Sequence, residues 1–195
     1  MSVDYRPARP DDQAALTEIY NHYVSQTIAT FDLTPKTVAE RAPWFEEHAL
    51  QGPYRLWVAT EPEGRVVGFA STSRFRPRPA YSSTVESSVY VHPHSIGRGI
   101  GRGLYRALFN AVAAEELHRI VAIIALPNPA SVALHERFGF SLTGTLHEVG
   151  FKFGRFWDVA HYERAQDQYA IRRTSGIARA ATPETTKPTP TIVSK

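Results

Sequence analysis

Apolar and polar residues alternate from Val3 to Ala8, and then the period changes. Leu16, Ile19, Tyr20 and Tyr23 recur at helical spacing behind Asp11 and Asp12, either of which can cap a helix. The pattern predicts a strand followed by a helix. In "LTPKTVAERAPWFEEHA", Thr34 can serve as cap and Pro35 as the first helical residue, and Pro43 predicts two short helices or one kinked helix. "YRLWVAT" and "RVVGFAST" flank the turn "EPEG" and read as a hairpin. "STVESSVYV" reads as a third strand beyond the loop "RFRPRPAY". Leu104, Leu108 and Val112 mark a helix entered through a glycine-rich stretch, and the unbroken apolar run "RIVAIIAL" predicts a strand buried on both faces. In "PNPASVALHERFGF", Asn128 can cap a helix that Pro129 begins and Gly139 ends. "FSLTGTLHEVGF" and "RFWDVAHYER" complete the pattern as two further strands.

This order predicts a mixed α/β sheet of about seven strands, at odds with the regular βαβ alternation of a doubly wound fold. No internal repeat is evident. One domain is expected over residues 1–170. From Ile171 the chain is rich in Thr, Pro, Ala and charge, with little to bury, and 171–195 is expected to be a disordered basic tail.

Composition narrows the function classes. A chain of 195 residues with 43% hydrophobic and 21% charged residues suits one domain with a full core. The formal net charge of +3 is concentrated in the tail, where Arg172, Arg173, Arg179, Lys187 and Lys195 face Glu184 alone. The rest is close to neutral, so no nucleic-acid partner is expected. The absence of cysteine excludes disulfides and thiolate chemistry and is compatible with a reducing compartment. "MSVDYRPARP" lacks the apolar segment of an export signal, and no apolar run is long enough to span a membrane, so a cytoplasmic location without membrane contact is expected. His22, His48, His92, His94, His118, His147 and His161 are scattered, with no pair spaced i, i+4 on one helix, and no metal site is expected.

The stretch "HSIGRGIGRGLY" sets Gly97, Gly99, Gly101 and Gly103 at alternate positions between a strand and a helix. Unpaired amides there, at the positive end of a helix dipole, make a cradle for phosphate oxygens. A nucleotide P-loop would need Lys-Ser/Thr after the last glycine, and Leu104-Tyr105 stand there instead. A dinucleotide fingerprint belongs to the first turn of a βαβ unit, whereas this loop follows hairpin-like strands.

At this point the chain resembles the GNAT superfamily of N-acetyltransferases, whose acyl-CoA pyrophosphate loop reads Gln/Arg-x-x-Gly-x-Gly/Ala. "IGRGIG" aligns with it, Gly99 and Gly101 standing at its glycines and Ile96 departing from its first position. The resemblance is closer to the phosphinothricin and methionine sulfoximine acetyltransferase branch, and runs from Tyr5 to Glu163 through "IYNHYV", "VESSVYVHP", "GIGRGLY", "LPNPASVALHERFGF" and "GFKFGRFWDV". It implies the GNAT fold, mostly antiparallel with a central splayed parallel pair and helices on both faces. It also implies acetyl-CoA as co-substrate, no metal, and a homodimer.

An ammonium cannot attack a thioester, so acetyl transfer to an amine needs a base. Glu86 is the only carboxylate in its strand, and the resemblance makes it the general base. His135 stands where many GNAT relatives carry a tyrosine that reprotonates the departing thiolate and where this branch has histidine, so the resemblance implies a catalytic role for it. The resemblance implies that Val89, Tyr90 and Val91 bond the pantetheine arm. Gly97, Arg98, Gly99, Ile100, Gly101 and Arg102 would hold the pyrophosphate, and Asn128 would touch the CoA arm while capping its helix. Arg76 and Arg78, spaced by prolines, suit carboxylate or phosphinate oxygens. With Tyr81, and Phe31 as an aromatic wall, they align with positions lining the amino-acid pocket.

The expected function is transfer of acetyl from acetyl-CoA to the α-amine of a small glutamate-like amino acid. Without a cysteine nucleophile, the transfer is expected to be direct. Another amine acceptor (a protein N-terminus, a polyamine or an aminoglycoside) and a non-catalytic acyl-CoA-binding module are the alternatives.

Overall fold

The computed structural model describes residues 2–166, so the expected tail at 171–195 and the end of the 1–170 domain lie outside the described residues. In chain order the elements are β1 (Asp4–Pro7), α1 (Gln13–Gln26), α2 (Val38–Glu46), β2 (Leu56–Thr60), β3 (Val66–Arg74), β4 (Thr84–Val91), α3 (Ile100–Ala111), β5 (Arg119–Ala125), α4 (Pro129–Arg137), β6 (Ser141–Lys152) and β7 (Arg155–Ala165). The strands form one seven-stranded sheet in the order β1-β2-β3-β4-β5-β7-β6. Among the described residues β4 and β5 are the one parallel pair, and the other neighbours run antiparallel. The expected mixed α/β sheet with its parallel pair is thus present.

Each face of the sheet carries its own core. On one side the apolar stripe of α3, with Ile100, Leu104, Tyr105 and Leu108, packs on Val67, Ala70, Val85 and Ile120. On the other, Leu16 and Ile19 of α1 meet Leu56, Val58 and Phe69, with Trp44 and Phe45 of α2 at the margin. Strand alternation therefore sorts β4. Val85, Ser87, Val89 and Val91 face α3, whereas Glu86, Ser88 and Tyr90 face α1, where Tyr90 meets the rings of Tyr20 and Tyr23 edge-on.

The end of α4 follows its sequence signals. Asn128 Oδ1 accepts from Ser131 N–H at 3.1 Å, Pro129 opens the helix, and Gly139 follows it with φ of +80°. The start of α2 differs from expectation. Its cap is Thr37, not Thr34: Thr37 Oγ1 accepts from Glu40 N–H at 3.2 Å while the Glu40 carboxylate accepts from Thr37 N–H at 2.7 Å. This reciprocal box satisfies two end amides, which Thr34 with its following Pro35 could not do. The helix then runs unbroken through Pro43, because the missing amide removes only one bond, to the Ala39 carbonyl. Asp12 does stand before α1, but its carboxylate makes no cap bond there. It binds Arg6 at 2.7 and 2.9 Å and accepts from Arg9 N–H at 2.7 Å. β5 is not buried throughout either, since Ile123 is 41% exposed where the sheet opens beside it.

Two of the four loop glycines are packing residues. A β-carbon on Gly101 would stand 3.3 Å from Leu134 Cδ2, and one on Gly103 would overlap the hydroxyl end of the Tyr5 ring, which joins β1 to α3. Gly103→Ala should therefore cost about 1–3 kcal/mol by overpacking. Urea unfolding should show a lower midpoint with an unchanged slope; an unaltered midpoint would mean that Tyr5 moves aside freely.

Candidate active site

The pairing of β4 with β5 covers only Thr84–Glu86 against Arg119–Val121. Beyond Glu86, β4 stays with β3 as far as Val91 and Gly68, while β5 stays with β7 as far as Ala125 and Val159. The sheet thus parts into a wedge directly after Glu86. His92 N–H donates to Val67 C=O at 2.9 Å, which fixes the alternation of main-chain groups along β4. Tyr90 spends its amide and carbonyl on β3, whereas Val89 and Val91 turn theirs into the gap. Tyr23 Oη donates to Val91 C=O at 2.6 Å and accepts from Val91 N–H at 3.4 Å. The main-chain groups of Val89 meet no partner among the described residues.

The wedge continues into a cleft of 420 Å³ beside α3 and α4. Val89, Tyr90, Val91, Gly97, Gly99, Ile100, Gly101, Arg102 and Asn128, all expected from the sequence to touch CoA, line it. Arg98 does not, because its guanidinium turns back to Glu61 at 2.7 Å. Gly97 and Gly99 have φ of +83° and +75°, the left-handed region that side chains disfavour. Gly99 is the N-cap of α3 without any side-chain cap bond, so the first amides of that helix are left for a ligand. Leu134 and Ile123 supply apolar wall. An unpaired strand edge suits an amide-bearing arm, and a left-handed turn at a helix start suits phosphate oxygens, so the residues present fit acetyl-CoA.

Glu86 is the last paired residue before the parting. It is half-buried, and its carboxylate makes no hydrogen bond with another described residue. Burial pushes its carboxyl above the ordinary carboxylate range, and the nearby Arg76 charge opposes that rise. On the other face His135 is buried with both ring nitrogens engaged. Nδ1 lies 2.7 Å from the Ser131 carbonyl, which fixes the proton there, so Nε2 accepts from Tyr105 O–H at 2.7 Å. Burial lowers the imidazole pKa and raises that of the phenol. Both residues line the cleft, and Tyr105 reaches Ser87, next to Glu86. Sequence reasoning missed Tyr105, because a tyrosine on the apolar stripe of a helix carries only a core signal.

The four residues expected to line the amino-acid pocket lie elsewhere than on this cleft. Arg76, Arg78 and Tyr81 sit in the exposed loop joining β3 to β4, at the closed end of the wedge. Arg76 packs on the Phe75 ring at 5.0 Å, and Tyr81 meets the same ring edge-on at 5.8 Å. Arg76 and Arg78 make no ion pair with described residues. The Arg76 charge acts on Glu86 through space, while Arg78 and Tyr81 stay in the exposed loop. Phe31, on the segment between α1 and α2, packs on Gly150 of β6.

A strand pair that parts beside a glycine turn, with an uncommitted carboxylate at the parting, is an arrangement for group transfer between an extended carrier and a second substrate. The acetyltransferase (GNAT) domain family matches residues 6–160, and the chain belongs to that family of acetyl-CoA-dependent N-acetyltransferases. It is 55% identical over 163 residues to the phosphinothricin N-acetyltransferase of Streptomyces coelicolor, covering 83% of this chain and 95% of that one. It is 41% identical over 159 residues to an L-methionine sulfoximine/L-methionine sulfone acetyltransferase of Pseudomonas aeruginosa, covering 82% and 92%. Among solved structures it superposes with a TM-score of 0.80 on a GNAT superfamily phosphinothricin acetyltransferase from Sinorhizobium meliloti in complex with AcCoA, at 37% identity, covering 85% and 89%.

The left-handed turn generates a direct test. A side chain at Gly99 in its present conformation costs about 1–2 kcal/mol. Gly99→Ala should weaken acetyl-CoA binding about tenfold by calorimetry, while Arg98→Ala should leave it within about twofold because Arg98 is engaged with Glu61. The reverse order of effects would move the phosphate contact from main chain to side chain.

Proposed function

We propose that the chain transfers the acetyl group of acetyl-CoA to the α-amine of a small, anionic, glutamate-like amino acid such as phosphinothricin or methionine sulfoximine. The observation that carries this reading is the Glu86 carboxylate, without a hydrogen-bond partner among the described residues at the parting of β4 and β5, where the Arg76 charge acts on it. The acceptor class rests on the relatives described above, and Arg76 and Arg78 favour an anionic acceptor over a cationic one.

Acetyl-CoA supplies an acetyl thioester when bound. Gly97, Gly99 and the first amides of α3 hold its phosphates, and the open main-chain edge at Val89 aligns its arm. The Val89 N–H can also donate to the acetyl oxygen as negative charge develops there. Glu86, on the α1 face, takes the proton that the ammonium must lose before it can attack. On the α3 face the Tyr105 O–H, turned from His135 Nε2 toward the departing sulfur, gives its proton to the thiolate, and the phenolate left behind takes a proton back from water. Arg76 and Arg78 orient the acceptor's anionic groups, and Phe31 and Tyr81 form its walls.

A homodimer in the cytoplasm belongs to the same reading. Leu142, Leu146, Val149, Phe151, Phe153 and Phe156 are at least half exposed on β6, β7 and their connecting turn, which supports self-association through that hairpin.

Purified protein with acetyl-CoA and phosphinothricin should release free CoA, and a panel of amines should rank anionic amino acids above polyamines and aminoglycosides. Glu86→Gln should lower kcat about 10²- to 10⁴-fold and leave acetyl-CoA affinity intact. A base works above its pKa. Since burial raises that of Glu86, kcat/KM should fall with decreasing pH through a limb above the usual carboxylate range, and Glu86→Gln should abolish this limb. Unchanged turnover in the variant would remove Glu86 from the mechanism.

A further inference from the structure

The sheet is two half-sheets beyond Glu86, and one segment outside the sheet bridges them. Residues 27–37, between α1 and α2, form neither helix nor strand. Their ends are tied to α1. Thr27 Oγ1 donates to Tyr23 C=O at 3.0 Å, and Asn21 exchanges two 2.8 Å bonds with the main chain of Lys36. Tyr20 Oη adds bonds to Thr30 Oγ1 at 2.9 Å and Asp32 Oδ2 at 2.8 Å. α1 rests on the β2–β4 side of the parting. The middle of the segment is fastened to β6, on the other side.

Two residues make that fastening. Lys152 Nζ donates to Thr30 C=O at 2.7 Å, and the Phe31 ring occupies the space that a side chain at Gly150 would need. Gly150 and Lys152 share one face of β6 by strand alternation. Lys152 is 4% exposed, and its ammonium has no ion pair with a described residue within 4 Å. The Phe153 ring lies 5.2 Å from the ammonium and the Asp32 charge acts on it, yet a buried ammonium with one hydrogen bond is still costly, so this lysine is a poor choice for stability alone. Trp157 Nε1–H donates to Lys152 C=O at 2.8 Å and fixes the strand from which the lysine reaches. Ala29, one residue before Thr30, lines the cleft.

We propose that residues 27–37 are a strap across the parting, and that Gly150 and Lys152 are positioning residues that set its distance from Glu86 and so select among small amino-acid acceptors. The proposal rests on the acceptor class inferred above. Neither residue lines the cleft; each acts through the strap, Gly150 by its missing side chain and Lys152 by holding the Thr30 carbonyl. It gives the motif "GFKFGRFWDV" a task that the acetyl-transfer chemistry itself does not require of it.

Lys152→Met keeps length and apolar burial but loses the bond, and Gly150→Ala displaces Phe31. Both should raise the acceptor KM about tenfold or more and leave the acetyl-CoA KM within about twofold. Amide hydrogen exchange at residues 28–33 should quicken in both variants without any acceptor present. Gly150→Ala should have little further effect in a Phe31→Ala background, because the side chain it displaces is gone. An unchanged acceptor KM in both variants, or equal rises in both KM values, overturns the strap. So does unaltered exchange, whatever the acceptor. If instead wild-type protein turns over no amino acid while exchange responds as expected, the acceptor class falls and the bridging role of Gly150 and Lys152 stands.

Discussion

A strand that leaves its neighbour uncovers main-chain donors and acceptors that must be satisfied elsewhere, and in this molecule that happens directly after Glu86, where β4 parts from β5. The rest of the architecture can be read as a response. β3 holds one edge of β4 to its end and β7 holds one edge of β5, so neither strand loses its course. Tyr23 reaches from α1 to satisfy both groups of Val91, closing the far end of the open edge. Among the described residues the main-chain groups of Val89 are left open in the gap. No described buried side-chain nitrogen or oxygen lacks a partner. The uncovered edge is therefore local, and a carrier with amides of its own is the natural partner for it.

In the proposed reaction the parting would also give the two proton transfers separate approaches. Strand alternation puts Glu86 on the face covered by α1 and α2, and the Tyr105–His135 pair on the face covered by α3 and α4. An acceptor amine and a carrier sulfur can then meet in the wedge, each with its proton handled from its own side. Burial acts on the titratable groups of both sides. It lifts the Glu86 carboxyl toward neutrality, making it a stronger base, and it keeps the imidazole of His135 uncharged. The Ser131 carbonyl then decides the tautomer, so that Nε2 is an acceptor for the Tyr105 hydroxyl.

The sequence showed most clearly what local chemistry dictates. The cap at Asn128, the stop at Gly139 and all seven strands are written in neighbouring residues, and the glycine turn with its following helix was legible for the same reason. What it hid was long-range. Thr34 and Thr37 both look like caps, and only the reciprocal bond to Glu40 separates them. Asp12 looks like a cap and is consumed by Arg6 and the Arg9 amide. Tyr105 and Lys152 have no local signature at all, since one resembles a core aromatic and the other a strand-end surface charge. Ile123 sits in an apolar run that predicts burial, and the opening of the sheet beside it leaves it exposed.

The alternate glycines of "HSIGRGIGRGLY" divide into two pairs with different physical reasons. Gly97 and Gly99 adopt left-handed conformations, whereas Gly101 and Gly103 admit Leu134 and Tyr5 against the helix. The first pair shapes the turn that faces the cleft, and the second brings that turn's helix close to α4 and β1, so the geometry of the cradle is braced from behind. Ile96, which replaces a polar residue of the family pattern, is 63% exposed at its edge, and Arg98 is spent on Glu61. Of the side chains in this loop, only Arg102 then brings a cationic group to the cleft lining. Anion recognition here must rest chiefly on directed main-chain amides, which keep their orientation without the entropic cost of ordering long side chains. The same logic makes backbone conformation, more than charge, the quantity that the packing glycines protect.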